Sequence, residues 1–103
     1  MQFHVLEKLI NLYEGYRRLF RVDGHQLLLM QEHGELFIIE SHCPHKGHPL
    51  LEALTDRDEL RCPLHGYRFS LQSGQLLQAS GEACRGLKVY PVSYEGRDVG
   101  VVL

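Results

Sequence analysis

Cys43-Pro44-His45 and, after sixteen intervening residues, Cys62-Pro63-Leu64-His65 are the residues of this chain best equipped for chemistry. Each stretch offers one thiolate and one imidazole and is followed by a glycine, Gly47 or Gly66. A thiolate is a soft, charged donor suited to iron–sulfur clusters and zinc; a neutral imidazole suits zinc, iron and copper. Two sulfurs and two nitrogens close either a mononuclear zinc site or a [2Fe–2S] cluster with one iron on thiolates and the other on imidazoles, so donor type leaves both open. Spacing discriminates better. Structural zinc takes its cysteines from one C-x₂₋₄-C knuckle and its histidines from an H-x₃₋₅-H helix. Here each knuckle is mixed, and the first has a single intervening residue. Two mixed loops can place their cysteines on one iron and their histidines on the other, which favours the two-iron cluster and a role in moving electrons.

The neighbours suit such a centre. Gly47 and Gly66 let backbone amides approach sulfur closely, and Pro44 and Pro63 stiffen the loops by fixing φ. Leu50, Leu64 and Tyr67 are placed to shield the sulfide side from water.

Short strand-like runs must position these loops. Phe3 to Leu6 opens a strand, and Glu7 to Leu12 reads as a helical turn or loop. Tyr16 to Val22, Gln26 to Gln31 and Glu35 to Glu40 form an antiparallel meander, turned at Asp23-Gly24 and His33-Gly34. Residues 41–71 break that rhythm and carry three of the four prolines and both Cys-His pairs. Glu59 to Arg61 leads into the second pair as a short strand, Tyr67 to Leu71 leads out, and Ser73-Gly74 marks another hairpin. Leu87 to Tyr94 alternates, with Leu87, Val89 and Pro91 on one face and Lys88, Tyr90 and Val92 on the other. Glu95-Gly96-Arg97-Asp98 turns into a closing strand, Val99 to Leu103. No segment holds a long 3.6-residue period with caps, and there is no internal repeat. The expected class is all-β: a small antiparallel barrel or sandwich with a loop-rich insertion, about 41–71, that holds the metal. At 103 residues, positions 1–103 read as one domain.

C-P-H-K-G-H-P-L at 43–50 and C-P-L-H-G-Y-R-F at 62–69 resemble the two cluster-binding boxes of Rieske-type [2Fe–2S] proteins. The Ser73-Gly74 hairpin and the run from Leu87 to Val92 are similar to that family too. The resemblance covers essentially the whole chain. It implies one [2Fe–2S] cluster, with Cys43 and Cys62 on the inner iron and His45 and His65 on the outer iron through Nδ1. His42, although adjacent to Cys43, is not a ligand in that pattern. Respiratory members carry a disulfide cysteine in each box, where this chain has His48 and Leu64, and tend to place a serine where it has Tyr67. Fewer hydrogen bonds to the cluster imply a potential near the low end of the family's range, about −150 mV rather than about +300 mV. There is no room for the mononuclear iron domain of an oxygenase subunit. The chain is thus similar to the stand-alone ferredoxin of ring-hydroxylating systems, or to the small Rieske-like subunit of NADH-dependent nitrite reductase. The implied role is one-electron transfer rather than catalysis, from a flavin-dependent reductase to a terminal oxygenase or reductase. A zinc-stabilised interaction domain is the remaining alternative.

Composition agrees. Apolar residues make up 44% and charged residues 23%, an ordinary globular balance, and the net charge of −2 argues against nucleic acid. The N-terminus reads as neither a secretory nor a twin-arginine signal. No apolar run exceeds four residues, as in Leu27 to Met30, which is far too short for a bilayer, so a cytoplasmic protein without membrane contact is expected. Three cysteines make a disulfide framework unfavourable, and Cys84 reads as an incidental, semi-buried thiol. His4, His25 and His33 read as surface residues, and His48 as an exposed neighbour of the cluster.

Overall fold

The computed structural model describes residues 1–64 and 66–103. Eleven strands are recorded: β1 (Phe3–Lys8), β2 (Arg17–Val22), β3 (His25–Glu32), β4 (Glu35–Glu40), β5 (Leu54–Asp56), β6 (Glu59–Arg61), β7 (Arg68–Ser70), β8 (Leu76–Gln78), β9 (Val89–Tyr90), β10 (Ser93–Glu95) and β11 (Asp98–Val102). Among the described residues one 3₁₀ turn, Leu9–Asn11, forms within the helical turn or loop expected over Glu7 to Leu12, while Glu7 and Lys8 continue β1. All pairings are antiparallel, in sheets ordered β1-β11-β10, β2-β3-β4-β9 and β5-β6-β7-β8. Among the described residues no helix is long and apolar enough to cross a membrane.

The β2-β3-β4-β9 sheet is the middle layer, and the sequence of β3 makes it so. Leu27, Leu28, Leu29 and Met30 are all fully buried. Alternate side chains of a strand point to opposite faces, so a continuous apolar run needs cover on both. Leu27 and Leu29 pack with Leu6, Ile38, Val99 and Val101 in one core. Leu28 and Met30 pack with Phe37, Ile39, Leu60, Phe69 and both loop cysteines in the other. The alternation read from 87 to 94 follows the same division: Leu87 and Val89 join the cysteine-bearing core, Tyr90 and Val92 the opposite one.

Turn chemistry sets the register of the middle sheet. Asp23-Gly24 and His33-Gly34 each place two residues in succession at positive φ, at 49° and 80° and at 53° and 75°. That is the type I′ geometry that matches strand twist. The β5–β6 hairpin turns at Arg57, φ 56°, with no glycine to announce it. β5 and β8 have no counterpart in the sequence reading. The expected strand from 87 to 94 is interrupted at Pro91, giving β9 and β10 in different sheets.

Candidate metal centre

Each cysteine sits at the mouth of a four-residue loop, and the two loops are built alike. In the first, the Cys43 amide donates to the His48 carbonyl (2.8 Å) and the Gly47 amide donates to the Cys43 carbonyl (2.7 Å). In the second, the Cys62 amide donates to the Tyr67 carbonyl (2.8 Å) and the Gly66 amide donates to the Cys62 carbonyl (3.0 Å). Gly47 and Gly66 have nearly equal positive φ, 71° and 72°. A Cβ on Gly47 would meet nothing within 4 Å, so that glycine answers to conformation rather than to space. The first loop caps a ladder continued beyond β4 by the His42–Pro49 bridge and the Leu50 amide on the Ser41 carbonyl (2.9 Å). The second caps the β6–β7 hairpin, where Arg61 opposes Arg68.

This frame brings Cys43 and Cys62 together, both buried, in one core with Leu50, Tyr67 and Phe69. Burial pushes the Cys43 thiol up to about 11; the amides of His45 and Lys46 act against this, and the adjoining Cys62 thiol adds to it. The buried Cys43 thiol resists ionisation until a cation supplies compensating charge. The donor set therefore fits a metal centre that takes thiolates, with amides already aimed at sulfur.

His45 is half-buried, with its Nδ1 shielded from solvent, and its ring stacks on Tyr67 at 4.0 Å between centroids and 16° between planes. Tyr67 is buried, and its hydroxyl donates to the Glu82 carbonyl, away from the loops. Burial, then the nearby Cys84, Glu82 and Cys43, hold the Tyr67 phenol above its ordinary range. His65, the fourth expected ligand, lies outside the described residues. Among the described residues no three His, Cys, Asp or Glu side chains gather into a single-ion site. Leu50, expected to shield the centre, is fully buried in the core that holds both cysteines, whereas Leu64 is about half exposed. His42 is occupied by the Ser41 hydroxyl, 2.7 Å from its Nδ1, and Cys84 is semi-buried at the edge of the core.

The supports of the loops carried no sequence signal. Arg17 on β2 pairs with Glu32 (2.7 Å) and donates to the carbonyls of Leu51 (2.9 Å) and Ala53 (2.6 Å), tying the exit of the first loop to the middle sheet. Arg85 forms a two-pronged pair with Glu40 (2.7 Å each), and the Lys88 amide donates to the same carboxylate (2.6 Å), fixing the end of β4 before the loop begins. Burial raises the Glu40 pKa, but the hydrogen bonds from Arg85 and Lys88 outweigh it and the net shift is down.

The family model for the Rieske [2Fe-2S] domain matches residues 2–91. This chain belongs to the Rieske family. Among its relatives, the ferredoxin component of the naphthalene 1,2-dioxygenase system of Pseudomonas aeruginosa is 32% identical over 82 residues, 80% of this chain and 77% of the relative. The biphenyl dioxygenase ferredoxin subunit of Pseudomonas sp. (strain KKS102) is 35% identical over 78 residues, 75% of this chain and 70% of the relative. The ferredoxin of carbazole 1,9a-dioxygenase from Nocardioides aromaticivorans IC177 shares the fold, with a TM-score of 0.82 at 22% identity over 98% of this chain and 97% of its own. The chain is thus a Rieske ferredoxin, an electron carrier rather than a catalyst, and its cofactor is a [2Fe–2S] cluster.

Proposed function

We propose that Cys43, His45, Cys62 and His65 hold the cluster, and that the protein passes single electrons from a flavin-dependent reductase to a terminal oxygenase. The matched pair of loops carries this reading: the same hydrogen-bond frame occurs twice, and it buries two thiols side by side. When bound, the cluster gains and loses one electron. The chain's own residues do the rest. Buried Leu50, Tyr67 and Phe69 keep water from the sulfur side, and the amides of His45 and Lys46 stabilise negative charge at Cys43. Tyr67 holds the His45 ring in place. The oxygenase destination is supported by the dioxygenase-system ferredoxins among the relatives. Residues 1–103 act as one domain in this reading.

The test begins with metal and sulfide analysis of the isolated protein. Two irons and two acid-labile sulfides per chain, with reversible one-electron reduction, are expected. One zinc and no colour would overturn the assignment. Cys43→Ser and His65→Ala should lose the visible absorption, whereas Cys84→Ser should keep it. The partner assignment is checked by reconstituting turnover with a flavin reductase and a ring-hydroxylating oxygenase; no product above the level without this protein would count against it.

A further inference from the structure

The outer face of the β5–β8 sheet sorts its charges by sign. Leu60 and Phe69 point into the core and are fully buried, so their neighbours along β6 and β7 point out. Strand register places Leu54, Arg61, Arg68 and Gln78 in one outward row. Asp56, Glu59 and Ser70 form the next row out. Each row sets like charges directly opposite each other, Arg61 against Arg68 and Asp56 against Glu59, an arrangement that costs stability. Exchanging one residue of each pair would give two ion pairs instead. Among the described residues neither arginine enters a hydrogen bond or an ion pair. The cationic row is the one beside the cluster loop: Arg61 directly precedes Cys62, Arg68 directly follows Tyr67, and the Arg61 guanidinium lies 3.4 Å from where a Cβ on Gly66 would stand. Leu54, 63% exposed, adds an apolar contact at the head of that row, and the face encloses a hollow of about 300 Å³. Glu52 lines a separate hollow with His48 and Pro49 of the first loop's exit and Pro63 of the second loop.

We propose that this face is the docking surface for an electron-transfer partner that presents carboxylates beside the second loop. The inference rests on the cluster assignment above. Net charge is −2, so a long-range field alone would repel an acidic partner. Two free guanidinium forks reverse the local sign at the loop and match carboxylates in shape as well as charge. Such patches act mainly on the rate of encounter and weaken with salt.

The experiment uses the reduced holoprotein and two protein acceptors of opposite charge, acidic plastocyanin and basic cytochrome c, mixed by stopped flow from low to high ionic strength. The electron lost by the cluster appears on the acceptor metal. Plastocyanin reduction should slow as salt rises. The Arg61→Gln/Arg68→Gln double variant should slow it at least about threefold at low salt, with the gap closing at high salt. Arg61→Lys/Arg68→Lys should retain most of the rate, and cytochrome c reduction should not fall in the Gln variant. A wild-type rate that rises with salt, or a double variant that matches it at equal reduction potential, overturns the docking face. Inhibition by inorganic phosphate at constant ionic strength would point to a small-anion site and overturn it too. Optical and EPR spectra taken beforehand separate the two layers of the reading. A protein without the cluster removes both; a protein with the cluster and the wrong salt response removes only the docking face.

Discussion

Tyr67 is the residue through which the sequence departs most usefully from the high-potential members of the family. A hydroxyl aimed at the cluster would stabilise added negative charge and raise the potential. Here that position carries Tyr67, whose hydroxyl is committed to the Glu82 carbonyl while its ring lies on His45. The expected potential is therefore near the low end of the range, about −150 mV, and protein-film voltammetry giving more than about +100 mV would count against it. Tyr67→Phe keeps the stack and loses one hydrogen bond, so it should cost about 1–2 kcal/mol in urea unfolding and leave the potential close to wild type. Tyr67→Leu removes the ring from His45 as well and should broaden the reduced EPR signal. That Cys43 and Cys62 belong to one site was legible because soft donors at that spacing have few other uses. The stack on His45 was not, because nothing in the order of residues says which way an aromatic ring will lie.

At the scale of elements, the loops are held by groups the sequence does not advertise. Arg17 looks like one of several charges on β2, yet it closes on Glu32 and on two carbonyls of the first loop's exit. Both partners are largely buried, at 18% and 12% side-chain exposure. Arg17→Met leaves Glu32 without its cation and should cost about 2–3 kcal/mol, with faster amide exchange at Ala53; Arg17→Met/Glu32→Leu should recover part of the loss. The Ser73-Gly74 turn was legible, but its severity was not. At φ 79°, a Cβ on Gly74 would stand 1.9 Å from the Leu87 carbonyl oxygen, so Gly74→Ala should lower stability by more than about 3 kcal/mol. Strands β2, β3, β4, β6 and β11 could be read because apolar runs and turn residues bound them. β5 and β8 could not: each is three residues long, and β5 meets β6 at an arginine held at positive φ. Glu7 ties β1 to β2 with a sign that pH can read. Hydrogen bonds from the Asn11 side chain, the Lys8 amide and the Tyr16 hydroxyl hold its carboxyl at about 2, below the ordinary 4.5. A lowered folded-state pKa stabilises above the unfolded value and is lost as pH falls toward the folded one. The stability gap between wild type and Glu7→Gln should thus be widest above pH 4.5 and close as pH approaches 2.

On the scale of the whole molecule, the proposed cluster site joins two layers of unequal strength. Cys43 follows β4 of the middle sheet, and Cys62 follows β6 of the outer one. The outer sheet is made of four three-residue strands and touches the middle sheet through the core that contains both cysteines. Strands that short do not hold together by pairing alone. The opposite layer needs no metal: Leu27, Leu29, Ile38, Val99 and Val101 are fully buried in a core without a cysteine. Metal ligation that forms only in the folded state adds its binding free energy to the part of the fold it bridges. Removing iron should therefore loosen the molecule from one side. In hydrogen exchange on the protein treated with chelator and reductant, the amides of Leu60 and Phe69 should lose protection first, while those of Leu28 and Leu29 stay protected. Loss of protection at all four positions together would mean that the middle sheet depends on the cluster as much as the outer one does.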